Sequence, residues 1–151
     1  MSLPDAFVPE LRALLGAASV ITEPEQLKVY DCDGLTSWRA LPAVVVLPVS
    51  AGEVQAVVRL CARLRVPFVA RGAGTGLSGG ALPVADGVVI SLSRLNRILE
   101  IDLDSQRVVV EPGVANLDVT RAVEAAGFFY APDPSSQQVC TIGGNVAENS
   151  G

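Results

Sequence analysis

The apolar positions near the start of the chain recur at helical spacing. Residues 5–17 carry leucines three and four positions apart and predict a first helix, and residues 25–30 predict a short helical turn. Residues 31–42 are predicted to form a loop, because glycine and proline interrupt them. We therefore expect residues 1–42 to form an N-terminal helical segment with a loop, separate from a domain that occupies residues 43–151.

The next pattern is that of a strand, a helix and a second strand. Residues 43–47 are apolar throughout, as in a strand that is buried on both faces. Ser50 and Glu53 have the spacing of a capping box, and the apolar residues behind them form one helical stripe that ends near Arg65. Residues 66–70 have the composition of another strand. Together these segments predict a βαβ unit.

Strand-like runs dominate the middle of the chain. Residues 87–92, 97–102 and 107–112 are rich in apolar and β-branched side chains. Residues 103–106 have turn composition and separate the last two runs, which indicates an antiparallel meander. The predicted fold class is therefore α+β, with a small βαβ subdomain and an antiparallel-sheet subdomain.

The C-terminal part combines one helix with irregular segments. Asn116 is predicted to cap a helix that has apolar side chains on one face and is closed by Gly127. Residues 128–138 are predicted to form an aromatic strand that runs into a loop stiffened by prolines. Residues 140–151 are rich in glycine and asparagine, and we expect no regular element there. The sequence stops within this motif, so we expect the domain to be incomplete at its C-terminus.

Charge and hydropathy exclude two classes of partner. A net charge of −5 and a pI near 4.6 argue against a nucleic-acid surface, which needs a basic stripe. No apolar run approaches the ~18–20 residues of a membrane helix. The acidic N-terminal residues do not have the composition of a signal peptide. We therefore expect a cytoplasmic protein that neither spans a membrane nor binds nucleic acid.

Histidine and cysteine usage limits the chemistry that this chain can supply. The sequence contains no histidine, which excludes a Ser-His-Asp triad, a histidine metal site and a histidine base among these residues. The spacing of Cys32, Cys61 and Cys140 fits neither a disulfide framework nor a zinc site. We expect reduced thiols, with Cys140 acting as a small buried apolar side chain, and no bound metal.

Five glycines fall within ten residues at 71–80, RGAGTGLSGG. The stretch formally matches G-x-G-x-x-G, but no helical pattern follows it, so a classical NAD-binding turn is not predicted. No Lys-Ser or Lys-Thr closes it, which excludes a P-loop. The glycines either form a concave anion site of backbone N–H groups, with Thr75 and Ser78 as hydroxyl donors, or build only a wide turn. Arg71 either offers charge to a ligand or holds the loop.

A second pair of segments has similar character. Residues 132–136 form a rigid, proline-rich loop that bears hydroxyl groups, and residues 141–145 again combine glycine with polar side chains. Two regions of this kind on one small domain favour a long ligand that is held at two places. A dinucleotide has that shape.

Taken together, these stretches resemble a known family. The segments PFVARGAGTGLSGGALP, GVVISLSRLNRILEID, VEPGV and APDPSSQQVCTIGGNVAENSG are similar to the FAD-binding domain of the vanillyl-alcohol-oxidase or p-cresol methylhydroxylase (PCMH) type. Within that family the resemblance is greatest to the group of the glycolate oxidase FAD subunit and D-lactate dehydrogenase. It extends over about residues 20–151.

The resemblance implies a set of cofactor contacts. It assigns the glycine stretch to the FAD pyrophosphate, Pro48 to the adenine side, and the two later segments to the flavin and the ribityl chain. Because the chain lacks histidine and Cys140 is the only nucleophile near those segments, we expect non-covalent FAD. The expected contact residues are Pro48, Arg71, Gly72, Ala73, Gly74, Thr75, Gly76, Leu77, Ser78, Pro132, Asp133, Pro134, Ser135, Ser136, Thr141, Gly143, Gly144 and Asn145.

The resemblance also implies an activity and partners. Such enzymes oxidise 2-hydroxy acids, for example glycolate or D-lactate, by moving a hydride from Cα to flavin N5 while a base from a later substrate domain takes the hydroxyl proton. We expect that base to be absent here, so that this chain has no catalytic residue and no turnover of its own. The implied partners of the complete enzyme are a small 2-hydroxy acid, a second flavin-type subunit and an iron–sulfur subunit.

Two other interpretations stay open at this point. The chain is either a catalytically silent, truncated module with a folding or subunit-docking role, or part of another flavoenzyme of the same fold. In the second case FAD is kept and the substrate changes, as in a cell-wall sugar reductase or an ether-lipid synthase.

Overall fold

The computed structural model describes residues 3–150, which form five helices, six strands and three 3₁₀ turns. The helices are α1 (Phe7–Leu15), α2 (Pro24–Leu27), α3 (Ala51–Leu64), α4 (Asn116–Val123) and α5 (Ile142–Glu148). The strands are β1 (Val20–Ile21), β2 (Val44–Val46), β3 (Phe68–Arg71), β4 (Val88–Ser91), β5 (Ile98–Asp102) and β6 (Arg107–Val110). The 3₁₀ turns are Ala17–Ser19, Lys28–Tyr30 and Glu124–Ala126. Within residues 3–150, no helix has both the length and the apolar character needed to cross a bilayer.

The larger sheet has four strands in the order β1-β2-β4-β3. β4 pairs in parallel with β2 on one side and with β3 on the other, while β1 pairs antiparallel with β2. Every residue of β2 and β4 is buried, as the continuous apolar sequence requires of strands that are covered on both faces. The carboxyl ends of β2, β3 and β4 therefore meet at one edge of the sheet, where ligands of parallel sheets commonly bind.

This order refines the predicted βαβ unit. Its strands, β2 and β3, and its helix, α3, are all present, but β4 lies between the two strands. Hydrophobic periodicity located the run at 87–92 as a strand without showing which sheet it joins. The predicted antiparallel meander is confirmed only for its last two runs, because β5 and β6 pair antiparallel in a separate two-stranded sheet. It is wrong for the first run, since β4 pairs in parallel with β2 and β3. The mixture of helices and two sheets agrees with the predicted α+β class.

The core lies between the larger sheet and the helices α1 and α3. Phe7 and Leu11 of α1 have no exposed surface and join the same cluster of buried side chains as Val57 and Cys61 of α3. Burial raises the pKa of the Cys61 thiol to about 11, as expected for a thiol used as an apolar side chain. The N-terminal segment thus packs on the core of the sheet; the predicted division between residues 42 and 43 stays a prediction.

Helix α3 begins as the sequence predicts. The Ser50 hydroxyl accepts a hydrogen bond from the Glu53 N–H at 3.2 Å. The Glu53 carboxylate accepts from the Val49 N–H at 2.7 Å, one residue earlier than in the standard capping box. The helix ends at Leu64, and Arg65 takes the left-handed conformation with φ 54°. Two backbone N–H groups at the start of α3 therefore have side-chain partners.

We expect Gly52→Ala to stabilise the protein. Gly52 is exposed in the first turn of α3, and a Cβ there would meet only the Ser50 hydroxyl, at 3.8 Å. Because alanine loses less backbone entropy on folding, the free energy of unfolding should rise by about 0.4–1 kcal/mol. Urea unfolding followed by circular dichroism measures this change. Gly16→Ala is the control: Gly16 also has open space around it but a φ of +79°, so alanine there should destabilise the protein.

Three predictions for the C-terminal part are wrong. Asn116 is the first residue of α4 and does not cap it; the N-cap is Ala115, which has no side-chain hydrogen bond. The segment 128–130 forms no strand in the described chain, since its neighbours offer no ladder to pair with. The glycine-rich end contains α5, capped by Thr141, whose hydroxyl accepts from the Gly144 N–H at 3.4 Å. Helix α4 ends at Val123, and Gly127, with a left-handed φ of 81°, closes the 3₁₀ turn that follows it.

Candidate functional site

The carboxyl edge of the parallel strands opens onto a cavity of about 430 Å³. Its lining residues come from the segments 70–81, 134–136 and 140–150, together with Leu92 and Pro112. The first of these segments leaves β3, and Leu92 leaves β4. The structure therefore brings the glycine stretch and the two later segments, far apart in sequence, around a single cavity.

The cavity contains most of the residues that the sequence singled out. All of them line it except Pro48, Pro132 and Asp133. Pro48 is fully buried just beyond β2, Asp133 is exposed, and the Pro132 carbonyl accepts a hydrogen bond from another element. The assignment of these three residues, and of the lining residues, to particular parts of a cofactor stays a prediction.

Other lining residues were not among the predicted contacts. They are Ala70, Gly80, Ala81, Leu92, Pro112, Cys140, Ala147, Glu148 and Ser150. Pro112 lies within the VEPGV segment and the last four lie within the final segment, so the family resemblance carried the signal for them. Leu92 also lies within a resembling segment, GVVISLSRLNRILEID, but nothing local marked it as a site residue, because a strand end becomes part of a site only through its neighbours.

Arg71 lies beneath the glycine stretch and holds it. The residue is 8% exposed, and its Nη1 donates to the Cys32 carbonyl at 2.7 Å and to the Ala81 carbonyl at 3.3 Å. Its guanidinium carbon lies 5.7 Å from the centre of the Tyr30 ring, within cation–π distance. Of the two roles open for Arg71 in the sequence, the hydrogen bonds show that it fastens the loop at both ends.

The backbone of the glycine stretch offers donors to the cavity. Gly74 and Gly79 have φ of +74° and +77°, a region that L side chains rarely adopt. Within the described residues, the backbone N–H groups of 73–78 donate to no carbonyl or side chain of the chain. Successive backbone N–H groups around a residue such as Gly74 can form an anion-binding concavity. No helix follows the stretch, and the next element is β4, which agrees with the rejection of an NAD-binding turn.

The early loop supports the glycine stretch from outside. A Cβ on Gly34 would lie 2.7 Å from the Thr75 carbonyl oxygen and 2.8 Å from that of Gly76. Position 34 therefore requires glycine, because the backbone of the glycine stretch passes too close for a side chain. The sequence marked residues 31–42 as a loop, but nothing in it showed that this loop packs against the candidate site.

The glycine stretch and the final segment touch each other at Gly72. A Cβ on Gly72 would collide with the Thr141 hydroxyl, so a glycine is needed for Thr141 to cap α5 at this place. Gly143 packs on Pro112 in the same way and donates its N–H to the Pro112 carbonyl at 2.8 Å. Two glycines thus set how closely α5 approaches the rest of the site.

Pro112 is held in place by an ion pair on its own turn. Glu111 is 8% exposed, and its carboxylate accepts from the Arg97 backbone N–H at 2.9 Å and from the Arg97 guanidinium at 2.7 Å. The hydrogen bond from the Arg97 side chain holds the pKa of the Glu111 carboxyl below its usual value. The charged pair fixes the turn that carries Pro112 to the cavity.

Asn145 supplies a buried donor that has no partner in the chain. It is 6% exposed, it lines the cavity, and its Nδ2 makes no hydrogen bond within the described residues. Asn116, fully buried, donates its Nδ2 to the Pro132 carbonyl at 3.2 Å and so ties α4 to the proline-rich loop. A buried amide donor without a partner is costly, which favours an acceptor on a ligand for Asn145.

The carboxylate of Glu148 connects the end of α5 to the glycine stretch. Glu148, exposed at the end of α5, accepts a hydrogen bond from the Ser78 hydroxyl at 2.7 Å. Glu148 and Arg71 are the charged residues of the lining. Because Arg71 is engaged by carbonyl groups, the carboxylate of Glu148 is the charge that faces the open side of the glycine stretch.

Comparison with known proteins identifies relatives of this chain. Residues 42–151 match the family model described as FAD binding domain. The chain is 49% identical over 141 residues to glycolate oxidase subunit GlcD of Escherichia coli (strain K12), covering 93% of this chain and 28% of that protein. It is 42% identical over 113 residues to D-lactate dehydrogenase of Anaerostipes hadrus, covering 75% of this chain and 24% of that protein. The chain therefore spans about a quarter of the length of these curated relatives.

The fold has counterparts among solved structures. The crystal structure of p-cresol methylhydroxylase with substrate bound superposes with a TM-score of 0.82 at 24% identity, covering 98% of this chain and 30% of that chain. At this identity the likeness concerns the fold alone. It confirms the prediction of a PCMH-type fold.

Proposed function

The chain belongs to the FAD binding domain family, and from that membership we propose that it is the FAD-binding part of an FAD-linked 2-hydroxy-acid oxidoreductase. The observation that carries this proposal is the cavity at the carboxyl edge of the sheet, which is lined both by residues 73–78, whose N–H groups have no partner among the described residues, and by Asn145 with its unpartnered donor. One end of the cavity suits an anion, and the other suits a polar ring.

The glycine stretch fits a diphosphate. Its N–H groups bind anionic oxygen without a side-chain charge, and the Thr75 and Ser78 hydroxyls lie on the same lining. Arg71 contributes by fixing the loop from below rather than by pairing with the ligand, since both of its carbonyl partners belong to the chain. We assign residues 71–78 to the FAD pyrophosphate.

The α5 side of the cavity fits a flavin and its ribityl chain. Gly143, Gly144 and Asn145 line this side, and Asn145 offers its Nδ2 to a ring carbonyl or nitrogen. Ser135 and Ser136 line the same side and can bond the ribityl hydroxyls. Cys140 is 4% exposed and the chain has no histidine, so we propose non-covalent binding.

The names of the relatives support the substrate class. Glycolate and D-lactate, which appear in the names of the two curated relatives, are both 2-hydroxy acids. A bound flavin supplies hydride-accepting chemistry, and the protein supplies binding and orientation. The E. coli relative is called a subunit, which supports further subunits in the complete enzyme. We propose a small 2-hydroxy acid as substrate and partner subunits as the route for electrons.

Binding of FAD by this chain is the first test. Purified chain, shown by circular dichroism to be folded, is titrated with FAD, and flavin fluorescence is followed, with NAD as the control ligand. We expect saturable binding of FAD and none of NAD, because the glycine stretch is not followed by the helix that an NAD site requires. A folded chain that binds neither ligand would contradict the proposal.

A second titration separates binding from turnover. FAD-loaded chain is mixed anaerobically with glycolate or D-lactate, and flavin absorbance near 450 nm is recorded. We propose that this chain binds without reducing its flavin, because it holds no histidine base for the hydroxyl proton. Loss of the absorbance would show that the chain carries its own catalytic base.

A further inference from the structure

The contact between Glu148 and Ser78 lies where the proposed function places an anion. The Glu148 carboxylate accepts from the Ser78 hydroxyl at 2.7 Å, and its carboxyl carbon is 3.7 Å from the position that a Cβ on Gly76 would take. A Cβ on Gly80 would collide with the same carboxylate. A side-chain anion of the protein therefore covers the glycine stretch from its open side.

The charge of this carboxylate is not neutralised locally. Arg71, the other charged residue of the lining, donates to the Cys32 and Ala81 carbonyls from beneath the loop. Six arginine–carboxylate contacts occur within residues 3–150, and none of them involves Glu148. Glu148 is exposed and sits at the end of a seven-residue helix, so its side chain can turn outward at low cost.

We propose that Glu148 is an internal competitor of the diphosphate, held on the glycine stretch by Ser78 and displaced when FAD binds. This inference rests on the proposed function, because it assumes that the diphosphate binds at residues 71–78. The Ser78 hydroxyl donates one hydrogen bond, which the Glu148 carboxylate takes, and a diphosphate beside that carboxylate would meet strong like-charge repulsion. FAD must therefore break the bond between Glu148 and Ser78, whereas a flavin that lacks a diphosphate need not. The carboxylate makes the site weaker for FAD and leaves phosphate-free flavins unaffected.

The test compares Glu148→Gln with the unaltered chain, using FAD and riboflavin as ligands. Glutamine keeps the size of the side chain and removes its charge. We expect FAD to bind about tenfold more tightly to the variant, the scale of relieving one like-charge contact. Riboflavin should bind both proteins equally. When FAD is held at its own Kd for each protein, inorganic pyrophosphate should displace it from the variant at a lower concentration than from the unaltered chain.

Glu124→Gln is the matched control. Glu124 is exposed in the 3₁₀ turn after α4 and does not line the cavity, so the variant carries the same change of net charge without the contact. We expect its FAD affinity to equal that of the unaltered chain, and an equal gain in both variants would overturn the inference. Weaker or unchanged FAD binding by Glu148→Gln would overturn it and leave the proposed function intact. If neither the chain nor its variants bind FAD, both the inference and the proposed function fail.

Discussion

Gly74→Ala is expected to weaken FAD binding by at least a hundredfold while leaving the core of the protein folded. Gly74 has a φ of +74°, where alanine is strained by about 1–2 kcal/mol. Its Cβ would also lie within the Arg71 guanidinium. Arg71 would have to move and give up charged hydrogen bonds, each of which contributes about 1.5–3 kcal/mol. A loss of about 3 kcal/mol at the loop corresponds to about a hundredfold in Kd.

Gly79→Ala is the control that separates strain from collision. Gly79 has almost the same φ, +77°, but a Cβ there has nothing within 4 Å. We expect it to show only the cost of backbone strain, about 1–2 kcal/mol. Fluorescence titration with FAD, together with circular dichroism of both variants, measures the difference. Equal FAD affinity in the two variants would show that Arg71 does not set the shape of the loop.

The elements of the larger sheet were predictable because their signals are local. A continuous apolar run marks a strand buried on both faces, and an apolar stripe behind Ser50 marks α3. The position of β4 between β2 and β3 was not predictable, because periodicity describes each strand alone and says nothing about which edge it meets. The consequence for the site is direct, since the order of strands decides which loops share the carboxyl edge.

Helix α5 was missed for a physical reason. Gly143 and Gly144 each disfavour a helix by about 1 kcal/mol relative to alanine, so the local sequence predicts a coil. The helix forms because Thr141 caps it and because Gly143 fits against Pro112. The second condition depends on a residue far away in the chain, and the first requires Gly72 to leave room for the Thr141 hydroxyl. Asn116 was misassigned in the same way: an asparagine before a helix suggests a cap, but its side chain is used to hold the Pro132 carbonyl.

The glycine stretch shows how far chemistry can be deduced without a structure. Its density of glycines left an anion site and a wide turn as alternatives, and the N–H groups of residues 73–78, which have no partner among the described residues, favour the first. The role of Arg71 stayed open, because a sequence does not show the direction of a side chain. The structure turns it inward, and it leaves Glu148 as the charge that a ligand meets.

Gly143→Ala is expected to lower both stability and FAD affinity. A Cβ on Gly143 would lie 2.6 Å from the Pro112 Cβ and 3.0 Å from the Pro112 carbonyl oxygen, so α5 must shift away. Such overpacking costs about 1–3 kcal/mol, and the hydrogen bond from the Gly143 N–H to that carbonyl contributes about 1 kcal/mol more. For a chain of this size, about 2–4 °C of melting temperature is lost per kcal/mol.

The neighbouring glycine provides the matched control for that substitution. A Cβ on Gly144 would lie 3.3 Å from the Thr141 hydroxyl, a contact that a shift of a few tenths of an ångström relieves while the threonine stays in place as the cap. Alanine at position 144 also favours the helix, so Gly144→Ala should leave the melting temperature almost unchanged. Thermal unfolding followed by circular dichroism compares the two variants. If both lower the melting temperature equally, helix α5 tolerates neither side chain and the packing of Gly143 on Pro112 is not what positions it. If only Gly143→Ala lowers the melting temperature, and FAD affinity falls with it, the packing of Gly143 in α5 on Pro112 controls the cofactor site.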